Sequence, residues 1–280
     1  MLSVSANADA SRLCFLRSRY QSDIYVGDIQ ASGRRLASLH QLTRDEAINY
    51  AHAWTPDSRA VLFSSNRDGP FRIYKQDFDK GTAELITHGP GFHYGSRISP
   101  NSQWLLYWNR VAPGDPQLRL RRMLLGGGAD QEILSTDDAF PDISCSHTTG
   151  GVCVLVERQG NSEIVSLVDP MRGRGPKVLE ITGEFTGDPT MSPDGRHIAF
   201  VLGGAVKNRI RIVDLHGITE SEIRVADTKN LASLDWSADG TVLWTQPADT
   251  YIWGIPSWDG RRLATLKPRM NTNVWIVENP

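Results

Sequence analysis

Three cysteines are too few for a disulfide scaffold, and a chain of 280 residues can bury enough surface to fold without one. Charge of one sign is also missing. Lys plus Arg number 30 against 32 Asp plus Glu, and a formal charge of -2 gives no electrostatic case for nucleic acid or an anionic membrane. No apolar run approaches the roughly 18 residues of a membrane-spanning helix. The opening Met1-Leu2-Ser3-Val4 lacks the basic and apolar regions of a secretion signal. There is no Gly-x-Ser-x-Gly elbow, no phosphate loop ending in Lys-Ser/Thr and no His-Glu-x-x-His pair. These gaps remove the common hydrolase, nucleotide-binding and zinc-peptidase signatures, and no cofactor is expected.

Repetition is what the sequence has. Turn corners occur at Asn7-Ala8-Asp9-Ala10, Thr55-Pro56-Asp57-Ser58, Ser99-Pro100-Asn101-Ser102 and His147-Thr148-Thr149-Gly150. Three more are Ser192-Pro193-Asp194-Gly195, Ser237-Ala238-Asp239-Gly240 and Ser257-Trp258-Asp259-Gly260. Their third residues are spaced by 48, 44, 48, 45, 45 and then 20 residues. A pitch near 45 is the length of one four-stranded propeller blade. In such corners Pro presets φ, Asp or Asn bonds its own backbone, and Gly accepts positive φ. After each corner comes an apolar run such as Val61-Leu62-Phe63, Trp104-Leu105-Leu106-Tyr107 or Ile198-Ala199-Phe200-Val201. Near-continuous apolar runs suit strands packed between neighbouring blades. Third strands are expected from Ile24, Ile73, Ile164 and Ile210, with more polar outer strands beyond them.

The expected fold is an all-β propeller of six to seven four-stranded blades, the last one or two incomplete. It forms a single domain over residues 1–280, with repeats at about 1–47, 48–91, 92–139, 140–184, 185–229, 230–250 and 251–280. The final interval of 20 leaves two registers open. Either Asp259 starts a seventh, incomplete blade, or Tyr251–Ile255 and Arg261–Leu266 complete the sixth and Asn273–Val277 is a spare strand. The outer edge near residues 241–255 is expected to be the least protected β-structure.

The phrases "TPDSRAVLFSSNRDG" at 55–69 and "MSPDGRHIAFVLGG" at 191–204 resemble the TolB-like, WD-repeat-like propellers over essentially the whole chain. The opening "LSVSANADASRLCFLRSRYQSDIYVGDI" and the ending "GRRLATLKPRMNTNVWIVENP" are similar to C-terminal propellers of bacterial serine/threonine kinases and winged-helix regulators. That resemblance implies a sensor module from a larger bacterial signalling protein, placed outside the cytoplasm. Neither a kinase nor a DNA-binding domain is in this sequence, so their activities do not transfer.

Function on this scaffold sits in loops around the channel. Tyr50, His93, Tyr94, Arg97, Asp142 and Asp188 flank inner strands at one rim and are the candidates for binding a protein partner or a small ligand. The competing class is an enzyme, a metal-dependent lyase or hydrolase with its site at the channel mouth, because propeller lyases acting on sugar acids resemble this fold and hold a divalent metal on channel histidines. His52 and His93 lie near two successive inner strands. His52, however, shares strand parity with Trp54, which directs it between blades, and a metal needs three or four convergent ligands. No metal site is therefore assigned. Trp54, Ile98, Met191 and Trp236 each directly precede a corner and read as core.

Cys145 and Cys153 lie four residues on either side of Thr149. A hairpin symmetric about that corner places them opposite each other, within disulfide reach. Two buried free thiols are the other reading. A bridge implies an oxidising compartment, and Cys14 stays free in either case.

Overall fold

The computed structural model describes residues 2–6, 12–31, 35–183, 185–203, 208–216, 220–226, 230–241, 243–247 and 254–278. Four antiparallel sheets follow one another along the chain. The first blade comprises Asn49–Trp54, Ala60–Ser65, Arg72–Asp77 and Glu84–Leu85. The second comprises Phe92–Ile98, Trp104–Arg110, Leu118–Leu124 and Gln131–Thr136. Asp142–Cys145, Cys153–Gln159, Ser162–Asp169 and Gly173–Thr182 form the third. Phe185–Met191, His197–Leu202, Arg209–Asp214 and Glu220–Arg224 form the fourth.

The fifth blade is shared by the two ends of the chain. Gly254–Pro256 is its inner strand, and Arg262–Glu278 pairs outward with Arg12–Gln30. Arg35–Gln41 forms its outer edge, and Leu2–Ala6 adds a fifth strand beside Arg12–Gln30. Leu231–Trp236 and Leu243–Pro247 make a two-stranded sheet between the fourth blade and this one. Successive inner strands touch from Asn49–Trp54 round to Gly254–Pro256, which contacts Asn49–Trp54 again, so the ring is closed.

The expectation of six to seven four-stranded blades is overturned. Among the described residues five blades have four strands or more, and the Leu231–Pro247 hairpin has two. The error came from giving each corner its own blade. The Asp259 corner does not begin a seventh blade, because it joins the first two strands of the shared one. Val274 continues the strand that began at Arg262, so neither sequence register for the end of the chain is realised. Residues 12–30 run as one strand where two were expected. The intervening Arg17-Ser18-Arg19-Tyr20-Gln21-Ser22-Asp23 has no Gly or Pro to turn it. Residues 242 and 248–253, within the segment expected to be poorly protected, and the Asn7–Ala10 corner lie outside the described residues.

The core is layered between blades. Trp54, Val61, Phe63 and Tyr74 of the first blade pack against Ile24, Val26, Ala264 and Leu266 of the shared one. Leu62 and Ile73 meet Ile98, Leu105 and Tyr107, while Leu118 and Leu120 meet Ile143 and Leu155. Val154, Val156 and Val165 meet Met191, Ile198 and Phe200. Each second strand is therefore buried on both faces, which explains its unbroken apolar sequence. Inner strands are also tied together by polar bonds. Trp54 Nε1 donates to Ile255 O at 2.9 Å, and Trp236 Nε1 donates to Thr190 O at 3.1 Å.

The corners gather on one face of the ring. In the fourth blade, Gly195 N donates to Ser192 O at 2.9 Å and Arg196 N to Asp194 Oδ1 at 3.0 Å. His197 N donates to Ser192 Oγ at 3.0 Å. The fourth corner residue takes positive φ, 75° at Gly195 and 57° at Ser58. Corners also meet across blades, with Asp259 N donating to Ser58 Oγ at 3.0 Å and His147 N to Pro193 O at 2.9 Å.

Candidate functional site

The opposite face is where the inner strands enter, and here the regular ladder fails. Ala51 pairs Phe63 while Ala53 pairs Leu62, leaving His52 as an extra residue in a bulge. The register also shifts between Tyr94 and Arg97, between Thr186 and Thr190, and between Leu231 and Ser233. A bulge re-aims the side chains beside it and resets their alternation. His52 accordingly lines the cavity and the channel and does not follow Trp54 between blades. Its Nε2 lies 2.7 Å from Ser64 Oγ and accepts from Gly95 N at 3.4 Å. Burial, helped by the nearby Arg97 charge, lowers its pKa to about 3, so the ring is neutral.

A cavity of about 640 Å³ opens at this rim. Tyr50, Phe71, Phe92, Tyr94 and Trp108 supply aromatic walls, and Phe140 stands at the lip with 88% of its surface exposed. Gly95 has φ 64°, and a Cβ there would lie 3.0 Å from Trp108 Cδ1. The backbone can pass over the indole only because no side chain intervenes. Trp108 is 1% exposed, and its Nε1–H has no hydrogen-bond partner among the described residues.

The cavity floor is charged. Arg97 Nη2 lies 3.7 Å from Asp142 Oδ1, and its Nη1 donates to His52 O at 3.3 Å. Asp188 also lines the floor, and deeper in the channel Asp235 is held by Trp236 N at 2.8 Å. Burial pushes Asp142 up to about 7, with the Asp188 charge adding to the rise and Arg97 opposing it. Burial likewise pushes Asp235 up to about 7, and Arg97 opposes it. Asp188 is exposed, yet the protein crowded around it raises its pKa against the pull of Arg97. One guanidinium thus serves three carboxylates, and Asp142 Oδ2 has no partner among the described residues.

Of the six residues chosen from sequence, Tyr50, Tyr94, Arg97, Asp142 and Asp188 line this one cavity. His93 does not. It is buried with Nε2 at 3.2 Å from Pro90 O and its ring 5.2 Å from that of Tyr107. Burial and the Arg72 charge lower its pKa to about 4. His52 and His93 therefore face different surroundings, and among the described residues no three His, Cys, Asp or Glu side chains converge as a metal requires. Sequence reasoning directed His52 between blades and missed Phe71, Trp108, Phe140 and Asp235. Gly95 inside one inner strand, and Gly187 and Pro189 inside another, were the available signs of bulges.

Cys145 pairs Cys153 across adjacent strands, and the two sulfurs are joined in a disulfide with Cα atoms 4.0 Å apart. Cys14 is a free thiol.

Comparison with known proteins places the chain among propellers. The family profile described as PD40, TolB beta propeller domain, matches residues 5–175. An uncharacterized protein, Atu1656, of Agrobacterium fabrum is 29% identical over 164 residues, covering 55% of this chain and 54% of that protein. The chain spans about half the length of the curated relatives it matches. Among solved structures, TolB from Acinetobacter baumannii superposes with a TM-score of 0.61 at 18% identity, covering 89% of this chain and 66% of that one. An oligogalacturonate lyase in complex with manganese gives a TM-score of 0.53 at 16% identity, covering 92% and 69%. At such identities the two structures establish a shared fold and nothing about chemistry.

Proposed function

The chain belongs to the TolB β-propeller family, and on that premise we propose that it is a non-catalytic binding module whose site is the rim cavity. One observation supports this reading above the rest: a cavity of about 640 Å³ with aromatic walls over a charged floor. Pockets of that size, mostly apolar with a few convergent polar groups, are the usual form of ligand sites. The exposed ring of Phe140 at the lip adds apolar surface that a partner would cover.

The test is a fragment screen read by the tryptophan indole N–H signals in NMR, with Trp108→Phe identifying the Trp108 signal. Fragments that shift this signal and are displaced by one another support the reading. Fragments that bind elsewhere and leave Trp108 unmoved overturn it. So does substrate turnover abolished by His52→Ala or Asp188→Asn, which would make the channel an active site.

Two finer readings go with this proposal. The sensor role within a larger bacterial signalling protein rests on the similarity of the opening and ending residues to kinase and winged-helix propellers. The coding sequence upstream of Met1 tests it, since an in-frame kinase or winged-helix segment with a membrane span is its expected content. Placement outside the cytoplasm draws support from the Cys145–Cys153 disulfide, because reducing compartments disfavour such bonds.

A further inference from the structure

The charge pattern and one orphaned donor narrow what the cavity accepts. Among the described residues, Arg97 is the cation within the channel, and Asp142, Asp188 and Asp235 all share it. Arg110, the other cation of the cavity lining, is bonded to the Tyr94 hydroxyl. His52 and His147 are held neutral near pH 7, chiefly by burial. Three carboxyl groups thus surround one guanidinium, and Asp142 Oδ2 has no partner among the described residues. A cation there would hold these buried acids in their charged form, as Arg97 does in part, whereas an anion would oppose their ionisation further. The surrounding aromatic rings favour the same sign, since their faces attract cations.

Independently, Trp108 lines the cavity, and its buried indole N–H has no acceptor among the described residues. A buried donor left unpaired is destabilising and marks a place where an acceptor is missing. Gly95 supplies no side chain that could cover the pyrrole edge.

We propose that this cavity binds an organic ammonium: a protonated amine on an aromatic or branched apolar body that also carries a neutral hydrogen-bond acceptor. The amine sits against Asp142 and Asp188, the apolar body fills the space between Tyr50, Phe71 and Tyr94, and the acceptor takes the Trp108 N–H. Such a ligand is either a small free amine or the amino-terminal residue of a polypeptide. This deepens the binding-module reading and rests on it.

Isothermal titration calorimetry with the intact protein tests the proposal using L-phenylalaninamide and N-acetyl-L-phenylalaninamide. They share the ring and the carbonyl acceptor, and only the first carries an ammonium. Expected is about tenfold tighter binding of the free amine, the scale of one charge-assisted hydrogen bond in a partly buried site. The near-isosteric double substitution Asp142→Asn, Asp188→Asn should remove that preference, with a thermal melt confirming that the variant folds. Trp108→Phe should weaken both probes about fivefold and leave their ratio unchanged. Extending the probe to Phe-Ala-Ala-amide separates the sources: tighter binding points to a chain end, and no gain points to a small amine.

Equal affinity of the two wild-type titrations overturns the proposal, as does a preference for the acetylated probe. A preference that survives in the double variant overturns it too. In all three cases the cavity remains a binding site. If neither probe binds at millimolar concentration the proposal also fails, and the binding-module reading then stands or falls on the Trp108 signal in the fragment screen.

Discussion

On the corner face of the ring, five turns repeat one arrangement: a Ser or Thr hydroxyl bonds the Asp or Asn two residues on. The pairs are Thr55–Asp57, Ser99–Asn101, Ser192–Asp194, Ser237–Asp239 and Ser257–Asp259. On the cavity face, four of the six inner strands are bulged, and their side chains there include His52, Arg97, Asp188 and Asp235. The hydroxyls of these five corners are bonded locally, whereas among the described residues cavity groups such as Trp108 Nε1 and Asp142 Oδ2 are unpaired, as is the buried Ser146 Oγ beside the divergent His147 corner. The contrast is that of a scaffold with a site. Removing a bonded side chain from a corner should lose stability, and selected substitutions on the cavity face should gain it, as expected where function is held at the expense of stability.

The largest effect is expected at the corner that departs from the rule. His147-Thr148-Thr149-Gly150 has no Asp or Asn at its third place, and the Cys145–Cys153 disulfide closes the hairpin instead. Replacing both cysteines with serine should cost about 2–3 kcal/mol, the loop-closure scale for so short a ring. Denaturant unfolding measures the loss. A double variant as stable as the parent would show that the bridge does not substitute for the missing turn residue. Mass measurement after alkylation without reductant should find one modified cysteine, Cys14, and three would rule the bridge out.

Next comes an ordinary corner. Asp194→Ala removes the acceptor for Arg196 N and the partner of the Ser192 hydroxyl, and should cost about 1–2 kcal/mol. Unfolding midpoints for this variant and for Asp239→Ala test whether the corners are equivalent. A loss confined to Asp194 would break the claim of one repeated device.

On the cavity face the expected sign reverses. Asp235 titrates near 7 in the folded chain and near 4 when unfolded, so between those values the folded state holds the extra proton. Its contribution to stability therefore falls as pH rises through that window, and the full penalty is present above 7. Asp142 acts in the same direction. Asp235→Asn should match the parent near pH 4 and exceed it by about 1 kcal/mol at pH 8, after discounting for solvent in the channel. Thermal melts across the range decide it. A variant less stable than the parent at pH 8 would place Asp235 in the scaffold and not in the site.

What could be read from the sequence divides along the same line. The corners announced themselves because turn chemistry is local: Pro, Asp and Gly act within four residues. Second strands such as Val61-Leu62-Phe63 were equally plain, since burial on both faces leaves no polar alternation. The shared blade was hidden because pairing Leu13–Gly27 with Leu263–Val277 is a contact between chain ends that no repeat spacing encodes. His52 was misplaced because strand parity presumes an unbroken ladder, and one extra residue inverts it. Tyr50, Tyr94, Arg97, Asp142 and Asp188 could be grouped from their position at strand entries. The Trp108 donor could not, since its lack of a partner depends on everything packed around it.

The smallest effect probes the corner rule from inside. The fourth corner residue is glycine at 195, 240 and 260 but serine at 58 and 102, with φ of 57° and 59°. An L-residue pays about 1 kcal/mol for that conformation and glycine does not, while glycine loses more chain entropy on folding. Ser102→Gly should therefore stabilise by about 0.5 kcal/mol. Ser58 differs in one respect, because its buried hydroxyl accepts Asp259 N at 3.0 Å across the junction with the shared blade. Ser58→Gly relieves the same backbone strain but leaves that amide without its partner, and a net loss of about 0.5 kcal/mol is expected. The pair is best compared by midpoints in one denaturant series. Opposite signs would show that the Ser58 hydroxyl strengthens the junction with the shared blade beyond the Trp54 bond and the apolar packing there, and a gain at both positions would show that the Asp259 amide finds another partner.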